Sequence, residues 1–156
     1  MKIEAVIDEV RGYLVEVGFP YEYDAKERII KHVFKIECDL GQALVVWEFK
    51  ETGYVVYTIA PLAVAQDRLT ERLRYLAMAN FGLDNGNFEI DCNDGEIRYK
   101  SYVNTESFEA ISRQLIDTSL DVGLFMMKRY GNGIAAIAKG TSEAEAEITK
   151  AESEQE

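Results

Sequence analysis

The spacing of apolar residues changes several times along the chain, and each change marks a predicted element. Near the N-terminus the apolar residues recur at helical spacing, which predicts an amphipathic helix ending at Gly18-Phe19-Pro20: Ile3, Val6, Ile7, Val10, Leu14 and Val17. Short runs rich in β-branched and aromatic residues follow, and they predict strands at Tyr21 to Tyr23, Ile29 to Cys38, Ala43 to Phe49 and Tyr54 to Ile59. The polar, glycine-containing stretches between the longer strands are typical of hairpin loops, so we expect an antiparallel meander.

A second helix is predicted to begin at Pro61, because proline is favoured in the first turn, and to end before Gly82. One face of this helix is marked by Leu62, Leu69, Leu73, Leu76, Ala77 and Asn80.

A β-hairpin follows the second helix, with Asp94-Gly95 as a two-residue turn. This turn places Asp91 opposite Arg98, Glu89 opposite Lys100, Ile90 opposite Tyr99 and Cys92 opposite Ile97, so that charges pair on one face and apolar groups on the other. A turn at Asn93-Asp94 would set Asp91 against Glu96, and like-charge repulsion disfavours that register.

The last predicted helix is capped at Asn104-Thr105 and runs to about Tyr130, where Gly131-Asn132-Gly133 predicts its end. From Thr141 the chain is acidic and Ile148 is its only large apolar residue, which predicts a disordered tail. A frayed Ala/Glu helix is the alternative, but it would have no face to dock.

The order of elements is α-β-β-β-α-β-β-α, which predicts an α+β fold. We expect an antiparallel sheet of about five strands flanked by three helices. Residues 1–140 form a single predicted domain and residues 141–156 form the acidic tail.

The net charge of −11 argues against nucleic acids and anionic membranes as partners, because both attract clustered Lys and Arg. Cys38 and Cys92 have neither a CxxC spacing nor a dense disulfide framework. The N-terminus lacks the pattern of a signal peptide, and no apolar run approaches the length of a membrane span. We therefore expect a cytoplasmic location by elimination.

Candidate chemistry is sparse. His32 is the only histidine, and beside Val33 and Phe34 it is interpreted as a packed or edge residue. One histidine and two distant cysteines do not suit zinc, and Ile90 and Cys92 interrupt the ligand pattern of a calcium loop. Neither a dinucleotide fingerprint nor a P-loop is present. The prediction is a protein that is not an enzyme, with no catalytic, cofactor-binding or metal-binding residue.

The unusual feature of the third helix is that it is apolar around most of its girth beyond Leu120. One interpretation is that it crosses the centre of the core. The other is that it forms a partner or dimer interface, in which adjacent methionines pack adaptably. The candidate interface residues are Leu124, Phe125, Met126, Met127 and Tyr130.

A set of structural positions carries a family resemblance: Pro61, Leu73, Leu76, Asn80, Gly86, Phe88, Asp94-Gly95, Ile97 and Tyr99. With the order of elements, they make the chain resemble the bacterial YbjN family, which is similar in fold to the class I type III secretion chaperones. The resemblance covers roughly residues 1–130. It implies a small cytoplasmic, non-enzymatic domain that regulates sensory transduction or a stress response, and a homodimer if the chaperone analogy holds.

Three functional hypotheses follow. The first is a protein-binding module, chaperone- or adaptor-like, that presents an apolar strip of the sheet or of the third helix to an extended or helical segment of a partner. The second is a small-ligand sensor or enzyme that uses Asp, Glu and Tyr groups in a cleft. The third is an acidic, immunity-type binder of a basic partner, which would associate in a salt-sensitive way.

Overall fold

The chain folds as one antiparallel sheet with helices, and this confirms the predicted α+β class. A computed structural model describes residues 1–62 and 68–153. Within these residues the helices are α1 (Ile3–Glu16), α2 (Leu69–Asn80), α3 (Arg113–Ala138) and α4 (Ala144–Ser153). The strands are β1 (Glu22–Asp24), β2 (Ile29–Lys35), β3 (Gln42–Lys50), β4 (Gly53–Ile59), β5 (Asn87–Ile90) and β6 (Ile97–Asn104). The described part thus has six strands and four helices, one more of each than predicted.

The strand order is β1-β2-β3-β4-β6-β5, and every neighbouring pair is antiparallel. Alternate side chains of each strand point to one face, as Trp47, Val56 and Ser101 do in a single row. One buried cluster joins this face to α1 and the first half of α3. A second joins it to α2, α4 and the rest of α3. All four helices therefore lie on the same side of the sheet.

The predicted first helix and meander are confirmed. The buried residues of α1 are those of the predicted apolar face together with Tyr13, except that Val17 lies just beyond the helix and is exposed. Gly18 follows with a φ of 75°. The three-residue strand β1 pairs only with Ile29 to Lys31 of the longer β2. Among the described helices, none has the length and apolar character required to cross a bilayer.

The second helix begins later than predicted. Pro61 and Leu62 are not helical, and α2 starts at Leu69. Residues 63–67, where the predicted helix would run, lie outside the described residues. The end is as predicted, since α2 stops at Asn80 and Gly82 takes a φ of 84°.

The hairpin exists, but its predicted register is wrong by two residues. Glu89 stands opposite Arg98, and Ile90 stands opposite Ile97. The loop closes with the Asp91 N–H donating to the Glu96 carbonyl (2.9 Å), which is the pairing that charge repulsion was expected to prevent. The repulsion is offset locally, because the Asp91 carboxylate accepts from the Asn93 N–H (2.8 Å). A shift of two residues keeps every side chain on its predicted face.

Both predicted ends of the third helix are wrong. The sheet continues through Asn104 opposite Gly53, so α3 begins only at Arg113, where the Ser112 hydroxyl accepts from the Leu115 N–H (3.1 Å). At the other end the helix runs through Gly131-Asn132-Gly133 to Ala138. These glycines give room to neighbours: a Cβ on Gly131 would lie 2.6 Å from the Cys38 sulfur, and one on Gly133 would overlap the phenol of Tyr75.

The prediction of a disordered tail is wrong for Ala144–Ser153, because these residues form the helix α4. This helix does have a face to dock, although the face is built mainly from small residues: Ala144, Glu147, Ile148 and Ala151 are buried. Its start is anchored where the Ala144 N–H donates to the Glu71 carboxylate (3.1 Å). Arg129 of α3 donates to the Ala151 carbonyl (3.2 Å) near its end.

We expect Gly133→Ala to lower the free energy of unfolding by about 1–3 kcal/mol, because the new methyl group must displace the buried Tyr75 ring. Gly12→Ala is the matched control, since nothing lies within 4 Å of its Cβ position in α1. That variant should gain about 0.5–1 kcal/mol from the better helix propensity of alanine. Urea unfolding measures both, and equal effects would contradict a packing role for Gly133.

Candidate protein-docking groove

The structure divides the predicted interface residues of α3 between core and surface. Met127 and Tyr130 are buried in the cluster that also contains Tyr75 and Ile134, so the core interpretation holds for these two. Leu124 and Met126 are half-buried against the two clusters. Only Phe125 is well exposed, at 53% of its surface.

Phe125 lines a groove on the described surface that has a volume of about 690 Å³. One wall is the end of β2 with the residues that follow it, and the other wall is the part of α3 from Thr118 to Lys128. Its lining residues are Lys35, Ile36, Glu37, Thr118, Asp121, Val122, Leu124, Phe125 and Lys128. The α3 residues come from successive turns of one side of the helix, which is why an exposed phenylalanine lies next to half-buried Val122 and Leu124.

Charged groups surround the apolar part of the groove. The Lys128 ammonium lies 2.8 Å from the Glu37 carboxylate, and this contact holds the pKa of Glu37 below its usual value. Burial, with the nearby charge of Asp117, raises the pKa of Asp121. An apolar centre with a charged, solvated rim is the usual composition of a protein-binding surface.

A second apolar surface lies on the face of the sheet away from the helices. The side chains there include half-buried Leu44 and Val46 of β3, half-buried Tyr57 and Ile59 of β4, and Val55 of β4, which is buried at 5% exposure. None of them belongs to either helix-covered cluster. Charges border this strip, since the Arg98 guanidinium lies 4.3 Å from the centroid of the Tyr57 ring and the Tyr57 hydroxyl donates to Glu48 (3.2 Å). We call these five residues the outer strip.

Sequence reasoning named neither the β2 wall of the groove nor the residues of the outer strip. The outer strip did leave a signal, because the runs Ala43 to Phe49 and Tyr54 to Ile59 are apolar on both faces rather than alternating. The β2 wall left none, since Lys35 and Glu37 are ordinary surface residues until the fold brings α3 beside them.

His32 has a structural role and lies outside the groove. It is 5% exposed, and its Nε2 accepts a hydrogen bond from the Trp47 indole (3.0 Å), so the neutral ring carries its proton on Nδ1. Burial lowers the pKa of His32 to about 4. Residues 1–62 and 68–153 contain no group of three or more His, Cys, Asp or Glu side chains that could hold a metal ion.

We expect the free energy of unfolding to decrease as the pH falls from about 6.5 toward 4. In this window the unfolded chain binds a proton on His32 that the folded chain excludes, with a limiting slope of about 1.4 kcal/mol per pH unit. Urea unfolding of the wild type and of His32→Gln across this range tests it, because glutamine keeps an acceptor for Trp47 and cannot titrate. A difference between the two proteins that is constant with pH would contradict the assignment.

Comparison with known proteins gives no further identification of this groove or of the chain. No family model matches the sequence, and no curated protein is significantly similar to it.

Proposed function

We propose that the protein is a non-enzymatic protein-binding module, chaperone- or adaptor-like, that holds a segment of a partner protein in the groove between β2 and α3. The observation that carries the proposal is the position of Phe125, a large apolar side chain that is half exposed in the lining of a sizeable groove. Burying such a side chain against a partner contributes up to about 2 kcal/mol of binding free energy, enough for it to act as an anchor. The proposal places the protein in the cytoplasm and gives it a regulatory role in stress response or signalling, in line with its resemblance to the YbjN family.

The apolar groove favours this function over an acidic binder of a basic partner. An apolar anchor keeps its strength in high salt, whereas exposed ion pairs are screened within about 8–10 Å at physiological ionic strength. The groove also carries charges of both signs, Lys35 and Lys128 as well as Glu37 and Asp121. Partners that remain bound in about 0.5 M NaCl are expected, and partners that are released there would instead support the immunity-type hypothesis.

We expect Phe125→Glu to reduce the proteins captured from the native cells by at least about tenfold, because it replaces an apolar lining residue of the groove by a charge. Its free energy of unfolding should stay within about 0.5 kcal/mol of the wild type, since the side chain is half exposed. Phe81→Glu is the control: Phe81 is 91% exposed and lies beyond α2, beside β5 at the opposite end of the sheet.

The measurement is quantitative mass spectrometry of proteins captured on the tagged chain, with thermal unfolding of each variant alongside. Equal capture by the wild type and Phe125→Glu would overturn the proposal. Equal losses with Phe125→Glu and Phe81→Glu would do so as well, because they would indicate nonspecific adhesion to exposed aromatic rings.

We also propose that the protein is a homodimer that pairs the outer strip of one copy with the outer strip of another. The support is that five apolar side chains of two adjacent central strands share a face that no described helix covers. A two-fold axis would pair the strip with the same strip of a second copy, and this is the most common symmetry of soluble oligomers.

Light scattering at about 0.1 mM should therefore give twice the chain mass of 17.7 kDa for the wild type. Val46→Glu should give the chain mass, because it buries two uncompensated charges near the two-fold axis. Val15→Glu, at an apolar position on α1 that is 68% exposed, should remain dimeric. A wild type that stays monomeric at this concentration would contradict the proposal.

A further inference from the structure

The groove presents side chains, rather than a strand edge, to an occupant. Beside β2 the segment Phe19–Pro20 covers the strand, and the Phe19 ring packs edge-on against Phe34 with 4.9 Å between the ring centroids. Beyond the end of β2 the Ile36 N–H donates to the Gly41 carbonyl (3.1 Å), and the Ile36 carbonyl accepts from the Cys38 N–H (3.1 Å). An occupant therefore has to satisfy its own backbone hydrogen bonds, as a helix does.

The exposed residues of the α3 wall recur at the spacing of a helix–helix contact. Thr118, Asp121, Phe125 and Lys128 are exposed, and they follow one another at intervals of three, four and three residues. This alternation keeps successive side chains on one side of α3, and it is the spacing at which a second helix packs along the first. The four residues cover about 15 Å of the helix axis, which is nearly three turns. The wall thus has the form of one half of a helix pair.

Asp121 gives this wall a negative charge that is not compensated. Its carboxylate forms no ion pair with any of the residues that the structure describes. Asp117, one turn earlier, adds a second carboxylate, which accepts from the Tyr13 hydroxyl. The nearby Arg113 pairs with Glu16 instead. A cation placed against Asp121 by an occupant would reduce the repulsion between the two carboxylates.

The remaining charges of the lining place no such demand on an occupant. The Lys128 ammonium lies 2.8 Å from the Glu37 carboxylate. Lys35 is one of the odd-numbered residues of β2, whose side chains lie on the face away from the helices, as the pairing of Val33 with Leu44 shows. The charge that complements the groove is therefore positive, and its place is at Asp121.

A second copy of the chain does not meet this demand from its own α3. The two cations that follow Phe125 on the helix are both engaged, Lys128 with Glu37 and Arg129 with the Ala151 carbonyl (3.2 Å). A helix of another protein with an uncommitted lysine or arginine complements the groove better. The position of that residue is fixed, because Asp121 and Phe125 are four residues apart and therefore neighbours on one side of α3.

We propose that the partner segment of the proposed function is an amphipathic helix that packs along α3, with an apolar residue against Phe125 and a lysine or arginine one turn away against Asp121. Its backbone is hydrogen-bonded within the helix, so only side chains enter the groove. This inference rests on the proposed function and adds to it the conformation of the partner and the place of its charge.

Selection of a phage-displayed library of random peptides against the full chain tests the inference, with peptides of about 16 residues so that four helical turns can form. Enriched peptides should have apolar residues three and four positions apart, with lysine or arginine one turn from the central apolar residue. Enrichment of acidic peptides, or of peptides with proline throughout, would overturn the inference.

An exchange of charges tests the contact with Asp121. Asp121→Lys should weaken the best selected peptide at least tenfold, and replacing the basic residue of the peptide by glutamate should restore binding to this variant. Asp84→Lys is the control, because Asp84 is an exposed carboxylate between α2 and β5, and it should change the affinity less than threefold. Equal losses with the two variants would overturn the inference, since they would indicate general attraction to an acidic chain.

The conformation of the bound peptide separates this inference from the proposed function. The Cα chemical shifts of the ¹³C-labelled peptide should become helical on binding, and proline at its centre should weaken it at least tenfold. Extended shifts, with binding that Phe125→Glu still abolishes, would overturn the helix and leave the groove function standing. Peptide that is displaced as the concentration of the chain rises would identify a second copy as the occupant and overturn the inference. Failure to enrich any peptide that depends on Phe125 would overturn both.

Discussion

The close approach of α3 to its neighbours is the constraint on which the rest of the structure depends. This one helix supplies residues to both buried clusters, Ile116 and Leu120 to one and Met127 and Ile134 to the other. It can lie so close only because it has glycine at the points of contact. A Cβ on Gly123 would overlap the Thr58 hydroxyl, just as one on Gly131 or Gly133 would overlap a neighbouring side chain. The groove follows from this placement, because the groove-lining part of α3 then lies beside the end of β2.

The apolar pattern of the sequence correctly predicted those elements whose formation depends on residues near one another in the chain. The apolar period of α1 and the strand runs depend on the residues themselves and on one buried face, and the fold class followed from their order. The hairpin shows the limit of such reasoning. Its faces were predicted correctly, yet its register was not, because Asp91 and Asp94 satisfy backbone N–H groups within a four-residue loop while Gly95 takes a φ of 75°. The charge pairs of the strands did not decide the register.

What was missed depends on contacts between distant segments. Glycine at positions 131 and 133 predicts a helix end when considered alone, and only the approach of Cys38 and Tyr75 shows that it serves packing. The same holds for α4, whose small apolar face gains a surface to dock on only after α2 and α3 are placed. Of the five candidate interface residues, Met127 and Tyr130 belong to the core, and the β2 wall of the groove was invisible in the sequence.

Covalent capture at the groove tests the central claim, that Phe125 meets a partner protein, most directly. A photoreactive phenylalanine analogue at position 125, introduced in the native cells and irradiated there, should yield specific adducts with another protein. The same analogue at position 81, the other strongly exposed phenylalanine, should not yield those adducts. The account would be contradicted if the analogue at position 125 gave no adducts. It would also be contradicted if the adducts at position 125 were the same as those at position 81.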